Sequence, residues 1–290
     1  MKNILVAAVG LVFVLIANGQ TTYNSQIEKW RTEHQAELLG DSGWFTVAGL
    51  FWLKPGVNTV GAGPDYDVQL TKNFAGGKFG EIDFEKGSAI LTVSDGVNAV
   101  SGGKAIKSIE LLSDEKSDPT VVSVDSQSFY LIERDGRVGV RLKDTKSEQR
   151  LNFHGLKWYP ISPKFRVTSR LEMFPRTKEV LIPNVLGSTF KMKSPGVLRF
   201  RLNGKAYSLL PVEEGDHLFI IFRDLTSKTE TYGAGRFLYA AKPVNGKVVL
   251  DFNKAENPPC AFTEFATCPL PPDQNRLNVS IPAGEKRYHE

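Results

Sequence analysis

Two carboxylates and two amides lie in the polar segment that follows the apolar run VVL, and they are the best candidates for chemistry. Asp251 and Asn253 are two residues apart, so on a strand their side chains face the same side. Asn257 and Glu264 follow them across a proline-rich stretch. Paired carboxylates can divide general acid and general base roles when their environments separate their pKa values. Asp251 and Glu264 are therefore the candidate catalytic pair, with Asn253 and Asn257 as candidate ligand contacts.

A structural interpretation of the same residues stays open. The segment is interrupted by prolines, so many of its backbone N–H and C=O groups lack partners in a strand ladder. Short polar side chains such as Asp251, Asn253 and Asn257 commonly satisfy such groups. On this interpretation the residues hold the backbone in place and perform no reaction.

Two arginines are the candidate positive groups. Arg141 lies in the alternating stretch VRLKDT, and Arg236 follows a Gly-Ala-Gly turn that lets backbone and side chain approach closely. On an outward face, an arginine in an ion pair contributes less than about 1 kcal/mol. In a cleft, an arginine suits a carboxylate or phosphate group through two hydrogen bonds. Arg141 and Arg236 are therefore candidate ligand-binding residues.

Cys260 and Cys268 enclose seven residues. In an exported protein an even pair of cysteines predicts a disulfide, and closing such a ring stabilises the fold by roughly 2.6 kcal/mol. Buried free thiols are the alternative. No metal is predicted, because the four histidines are scattered and no CxxC or HxxxH spacing occurs. No phosphate loop occurs and no cofactor is predicted either.

The N-terminus has the three parts of a secretory signal. Lys2 supplies a positive charge, an apolar run covers 4–16, and Ala17-Asn18-Gly19 provides small residues for cleavage. The run is shorter than the roughly 20 residues that a membrane-spanning helix needs. We therefore predict a signal peptide at 1–19 and a mature protein that starts at Gln20. The mature protein is expected to lack a membrane span and to be periplasmic or extracellular; a short anchor helix is the alternative.

Residues 20–290 are predicted to form a single domain, a length that all-β domains reach. The chain has 36 basic and 32 acidic residues, and the basic ones are spread along it, so nucleic acid is not an expected partner. A small-molecule ligand is the expected partner. The sequence leaves the oligomeric state open.

The periodicity predicts an all-β fold after one N-terminal helix. Apolar and aromatic residues at helical spacing predict that helix over 22–39, with Trp30 packed on the sheet. Beyond Trp44 the period is two, with strand patterns that include 165–173, 177–182 and 276–281. Four pairs are typical of tight turns: Asp95-Gly96, Asp135-Gly136, Asn203-Gly204 and Asn245-Gly246. Together these features predict a mainly antiparallel barrel or sandwich.

Several blocks of the sequence carry a family resemblance. They are Trp30-Arg31, Gly43-Trp44, 49–53, Phe153, Gly155-Leu156, Pro160, 222–226, Thr231-Tyr232, Gly235-Arg236 and the whole segment 251–286. In these blocks the chain resembles the DUF1684 family of bacterial and archaeal proteins, whose function is not established. The family often has a tyrosine where Glu256 stands here, so Glu256 is not a candidate for a shared role. The resemblance indicates positions to examine and implies no mechanism.

These observations favour an exported protein that binds a small polar or anionic ligand in a cleft beside the C-terminal Pro/Cys loop. The alternatives are a carboxylate-dependent hydrolase of a small or glycan-derived substrate, and a scaffold without pocket chemistry. The sequence leaves open whether the protein is an enzyme. Convergence of Arg141, Arg236, Asp251 and Glu264 in one pocket, with a perturbed carboxylate, would favour the enzyme.

Overall fold

The computed structural model describes residues 2–115 and 118–289, with side chains from Thr21 onward, and consists mainly of β-strands. The helices are α1 (Lys2–Leu39) and the one-turn α2 (Glu148–Leu151). The strands are β1 (Val47–Trp52), β2 (Gly56–Ala62), β3 (Val68–Leu70), β4 (Lys78–Glu85), β5 (Ser88–Val93), β6 (Val100–Ser101), β7 (Lys104–Ala105), β8 (Ser108–Glu110), β9 (Val122–Val124), β10 (Gln127–Arg134), β11 (Arg137–Asp144), β12 (Arg166–Pro183), β13 (Thr189–Leu202), β14 (Lys205–Leu209), β15 (Val212–Glu214), β16 (His217–Phe222), β17 (Arg236–Ala241) and β18 (Lys247–Asp251).

The strands form four open sheets, and nearly every pairing is antiparallel. The strand orders are β1-β11-β10-β9-β6-β7, β3-β2-β4-β5-β8, β14-β13-β12-β18 and β15-β16-β17. The pair β2 and β3 is parallel. The prediction of an all-β, mainly antiparallel fold with one N-terminal helix is confirmed.

The chain divides into two compact units. Unit 1 contains the described residues up to Ala36, together with Gly155–Ala261 and the chain from Cys268 onward. Unit 2 contains Glu37–His154 and Phe262–Thr267. The prediction of a single domain over 20–290 stays a prediction.

Unit 2 is built from the six-stranded and five-stranded sheets. Its core lies where the alternating apolar residues of the strands meet, and includes Phe79, Leu91, Phe129 and Leu142, all at most 1% exposed. Since successive strand residues face opposite sides, Arg141 and Lys143 of β11 lie on the face away from this core.

Unit 1 is built from the four-stranded and three-stranded sheets. Val248, Leu250 and Phe252 all lie in its core, as their alternation predicts. The patterns at 165–173 and 177–182 belong to one long strand, β12, with an irregularity in its pairing between Met173 and Lys178. Among the described residues no helix is long and apolar enough to cross a bilayer.

Three of the four predicted tight turns close paired backbones. Asp135-Gly136 joins β10 to β11, Asn203-Gly204 joins β13 to β14, and Asn245-Gly246 lies between the bridged residues Val244 and Lys247. Every residue of these three pairs has a positive φ, which asparagine, aspartate and glycine tolerate. Asp95-Gly96 follows β5, whose ladder partners are β4 and β8, so this pair closes no hairpin.

The prediction of a strand at 276–281 is wrong. That segment is irregular and pairs with the rest of unit 1 through a single isolated bridge, Arg223 with Arg276. Two further backbone hydrogen bonds hold it: the N–H of Leu277 donates to the carbonyl of Arg223 at 2.7 Å, and the N–H of Leu225 donates to the carbonyl of Val279 at 3.0 Å. Asp224 adds a side-chain contact by accepting from the N–H of Ile281 at 2.6 Å. No longer ladder forms, because the partner segment enters a 3-10 turn at Leu225.

Candidate functional site

Unit 1 carries a cleft that is lined mainly by charged and polar side chains. It encloses about 240 Å³ and is lined by Arg223, Asp224, Leu225, Lys228, Arg276, Leu277 and Asn278. We call these seven residues the basic cleft. Three of them are cations and one is a carboxylate.

Two irregular segments form the walls of the basic cleft, and backbone hydrogen bonds hold them together. The first wall begins where β16 ends and continues into a 3-10 turn, Leu225–Lys228. The second is the C-terminal segment around Arg276. The N–H of Arg223 donates to the carbonyl of Asn275 at 3.0 Å, and the N–H of Leu277 donates back to the carbonyl of Arg223 at 2.7 Å. The cleft therefore has a fixed backbone.

The cations of the basic cleft remain available to a ligand. Arg223 is half-buried, whereas Lys228 and Arg276 are exposed. Arg276 Nε lies 3.4 Å from the exposed carboxylate of Asp273. Among the residues that the structure describes, Arg223 and Lys228 have no ion pair.

The single carboxylate of the cleft is already occupied by its own chain. Asp224 Oδ1 accepts from Arg236 Nη2 at 3.2 Å and from Thr226 Oγ1 at 2.7 Å, and Oδ2 accepts from the N–H of Ile281 at 2.6 Å. Arg236 and Asp224 therefore neutralise each other behind the cleft. The remaining charge of the cleft is that of Arg223, Lys228 and Arg276.

Arg236 was predicted to bind a ligand, and the structure places it in the interior. It is fully buried, its Nη2 also donates to the carbonyl of Ile281 at 3.1 Å, and its Nη1 donates to the carbonyl of Ala283. Burial lowers the pKa of Arg236, and the charge of Asp224 opposes that shift. Arg236 thus holds the C-terminal segment against β17.

Asp251 and Asn253 anchor helix α1. The hydroxyl of Tyr23 lies 2.8 and 2.9 Å from the two carboxylate oxygens of Asp251, and Asn253 Nδ2 donates to that hydroxyl at 2.9 Å. Burial, and then the hydrogen bond to Asp251, raise the pKa of Tyr23 well above its usual range. Asn253 also binds both backbone groups of Ser162 at 2.9 Å. The geometry favours the structural interpretation of these two residues.

Asn257 supports a partly buried histidine cluster that the sequence did not reveal. Its N–H and Nδ2 donate to the two carboxylate oxygens of Glu285 at 3.0 and 2.7 Å. His34 Nε2 lies 3.6 Å from Glu285, and His34 Nδ1 lies 3.5 Å from Glu256. Trp30 stacks on the His34 ring at 5.3 Å between centroids.

This cluster joins α1 to the C-terminal segment of unit 1. The available sequence signal was the spacing of Trp30 and His34, which places both on one side of a helix. Glu285 lies in the segment 251–286 that carries the family resemblance, but no spacing or motif distinguishes it from its neighbours. Glu256 departs from the family pattern and was not a candidate. The carboxylates reach His34 only because the C-terminal segment returns beside the loop at 255–257.

The predicted catalytic pair, Asp251 and Glu264, is divided between the two units. Asp251 lies in unit 1 with both of its oxygens bonded to Tyr23, and Arg236 is paired with Asp224 in a separate network. Glu264 is exposed in unit 2, and Arg141 is buried there. The described residues contain no group of three His, Cys, Asp or Glu side chains able to hold a metal ion.

The predicted disulfide between Cys260 and Cys268 is wrong, since the two sulfur atoms are not at bonding distance. The Sγ of Cys268 accepts a hydrogen bond from the backbone N–H of Cys260 at 3.1 Å. The contact between the two cysteines is therefore a hydrogen bond from a backbone amide to a sulfur atom. The apolar crevice beside them, lined by Tyr232, Phe237 and the prolines of the loop, has no room for a water molecule.

Comparison with known proteins identifies the part of the chain that carries the cleft. Residues 151–286 match the model of the family described as "Protein of unknown function (DUF1684)". This matched segment, a little under half of the chain, is similar to that family. It contains the whole basic cleft and also Arg236, Asp251, Asn257 and Glu285. The blocks at Trp30-Arg31 and 43–53 lie outside it.

One similar solved structure is an uncharacterized protein of Haloarcula marismortui, determined in solution by NMR. It is 29% identical, with a TM-score of 0.41, and the match covers 49% of this chain and 80% of that one. No curated protein matches the chain.

Proposed function

We propose that the protein binds a small anionic ligand in the basic cleft. The observation that carries the proposal is a cleft of about 240 Å³ whose three cations face a carboxylate already neutralised from behind. A cleft lined by charges of one sign raises the local concentration of opposite charge. The basic cleft lies beside Arg276 and Leu277, whereas the sequence-based hypothesis placed the ligand beside the C-terminal Pro/Cys loop.

The size of the cleft favours a small ligand. Sites for drug-sized molecules enclose about 300–1,000 Å³, so the basic cleft suits a phosphate or a short carboxylate better than a large organic molecule. Leu225 and Leu277 supply a limited apolar surface. Asn278 adds a polar group that can donate to a ligand oxygen.

The cations have different expected roles. Arg223 is half-buried on a fixed backbone, so its guanidinium can bind two oxygens of one anion. Lys228 is exposed and acts as a point charge. Removal of Arg223 is therefore expected to weaken binding more than removal of Lys228.

Calorimetric titration with inorganic phosphate and with citrate tests the proposal. The variants Arg223→Met and Lys228→Met should each raise Kd, by tenfold or more for Arg223→Met, and Kd should also rise with added NaCl. The matched control is Lys205→Met, an exposed lysine of the same unit outside the cleft. Equal Kd values for all three variants and the unmodified protein would show that the cleft is not the anion site.

We also propose that the protein is exported with cleavage after Gly19. The anchoring side chains of α1 that the structure describes, Tyr23, Trp30, Arg31 and His34, all follow the proposed mature start. Removal of 1–19 therefore leaves these contacts in place.

A further inference from the structure

Arg141 in unit 2 has a guanidinium with two buried, unpartnered nitrogens. The residue is 4% exposed, and among the described residues no hydrogen-bond acceptor reaches its Nε or Nη2. Buried polar groups of folded proteins nearly always have partners, and a buried charge without one is costly. The unmet donors therefore point to a ligand that the fold is built to accept.

The two unmet nitrogens are the pair that forms one side of the guanidinium. Nε–H and one N–H of Nη2 point in the same direction, so together they bind the two oxygens of a single planar group. The third nitrogen, Nη1, lies on the other side of the guanidinium and does not belong to this donor pair. A carboxylate matches the spacing of this donor pair.

The strand positions beside Arg141 carry no carboxylate. Strand pairing places Tyr130 of β10 and Leu50 of β1 directly beside it. The neighbouring positions on the same face of these strands are Trp52, Ser128, Ile132 and Arg134, and none is acidic. The ring of Trp44 lies 5.2 Å from the guanidinium carbon, which places an aromatic surface against the cation.

A second cation stands on the same face. Lys143 Nζ donates to the carbonyl of Ser42 at 2.6 Å and lies 5.5 Å from the Tyr130 ring. Burial, and then the charge of Arg141, lower the pKa of Lys143. The positive potential around Arg141 is thus reinforced by a neighbour whose own hydrogen bond is directed elsewhere.

We propose that unit 2 contains a second binding site, in which Arg141 takes the carboxylate of a ligand with a small apolar or aromatic body. The Nε and Nη2 edge binds the two oxygens, Lys143 adds attraction at longer range, and Leu50, Tyr130 and Trp44 contact the body. The site is independent of the basic cleft, whose residues all belong to unit 1.

Binding of benzoate, acetate and inorganic phosphate to the full chain tests this site. The readout is the ¹⁵N–¹Hε resonance of Arg141, assigned by its loss in Arg141→Lys, together with the melting temperature. Benzoate should shift this resonance and raise the melting temperature, with acetate weaker. Arg141→Met and Arg141→Lys should bind benzoate at least tenfold more weakly, because neither side chain has the two-donor edge.

Two controls separate this site from other sources of a response. Arg137→Met changes an exposed arginine on the same face of the same strand and should keep the benzoate response. Arg223→Met/Lys228→Met should also keep the benzoate shift of the Arg141 resonance, since those residues belong to the basic cleft. A resonance that does not move with benzoate, or that moves with phosphate alone, would overturn the assignment. If Arg141→Met does not fold, the response of the Arg141 resonance to benzoate in the unmodified protein still tests the proposed site.

Discussion

Asp224 and Arg236 form a buried ion pair directly behind the basic cleft, with Oδ1 and Nη2 3.2 Å apart and the two side chains 0% and 1% exposed. The carboxylate of Asp224 also accepts a hydrogen bond from the N–H of Ile281. The guanidinium of Arg236 also donates to the carbonyls of Ile281 and Ala283. The pair therefore connects the end of β16, the start of β17 and the C-terminal segment. It also removes the negative charge that would otherwise oppose an anion in the cleft.

Asp224→Asn should destabilise unit 1 strongly. Removing one partner of a buried pair leaves an uncompensated charge, which typically costs about 3–5 kcal/mol of unfolding free energy. Urea denaturation followed by tryptophan fluorescence measures this loss. Adding Arg236→Met should recover part of it, because the unpaired charge is then gone.

The control for Asp224→Asn is Asp216→Asn. The Asp216 side chain is fully exposed and lies 4.0 Å from Lys242, so its loss should change the unfolding free energy by less than about 0.5 kcal/mol. Equal effects of the two substitutions would show that the buried pair does not hold unit 1 together.

Tyr23→Phe should weaken the attachment of α1 in a pH-dependent way. The change removes the hydroxyl that bonds Asp251 and Asn253, at a cost of about 1 kcal/mol near pH 8. Because the pKa of Tyr23 is raised in the folded protein, its contribution is complete below the ordinary value of about 10 and is lost as the pH rises above it.

Urea titrations of the unmodified protein and of Tyr23→Phe, at pH 8, 9.5 and 11, measure that difference. The gap between the two proteins should narrow at the highest pH. Burial also raises the pKa of Tyr159, but that residue is present in both proteins and its effect cancels. A gap that stays constant from pH 8 to 11 would contradict the role given to the Tyr23 hydroxyl.

Local features of the sequence predicted the fold well, since they depend on residues close together in the chain. The turn at Asn203-Gly204 and the buried alternation of Val248, Leu250 and Phe252 are of this kind. Such features depend on backbone preferences and on a period of two, and both can be recognised from the sequence.

None of the candidate residues named from the sequence lines the basic cleft, because the walls of the cleft come from segments that lie far apart in the chain. Arg223 and Arg276 approach each other through one isolated bridge, and His34 reaches Glu285 across nearly the whole chain. Charge alone did not separate Arg236, which is buried in an ion pair, from Arg223, which lines the cleft. That distinction arises from burial, which depends on tertiary packing.

The proposed export predicts a mature N-terminus at or within a few residues of Gln20. Secretion in the native host, followed by N-terminal sequencing, checks this directly. The chain cut after Gly19 should melt at the temperature of the secreted protein, because the described anchors of α1 begin at Tyr23. Recovery of an intact Met1 in a membrane fraction would rule the proposal out.

Gly235→Ala should destabilise unit 1 and also weaken anion binding. Gly235 has a φ of +130°, and an added Cβ would lie 2.5 Å from Pro271 Cγ and 2.8 Å from the carbonyl oxygen of Phe222. Strained backbone of this kind costs about 1–3 kcal/mol, and the contact with Pro271 adds to it. Because Phe222 precedes Arg223, a shift of that carbonyl also moves the half-buried cation of the basic cleft.

Gly233→Ala is the matched control two residues away. Its Cβ would meet nothing closer than the carbonyl oxygen of Ser227 at 3.8 Å. Both substitutions reduce the freedom of the unfolded chain equally, so Gly233→Ala should be neutral or slightly stabilising. The difference between the two urea midpoints therefore reports the strain at Gly235 alone, and phosphate titration of both variants should show weaker binding only for Gly235→Ala. Equal urea midpoints would mean that Pro271 and Phe222 move away from the added Cβ without loss of stability. The backbone between β16 and β17 would then not fix the position of Arg223.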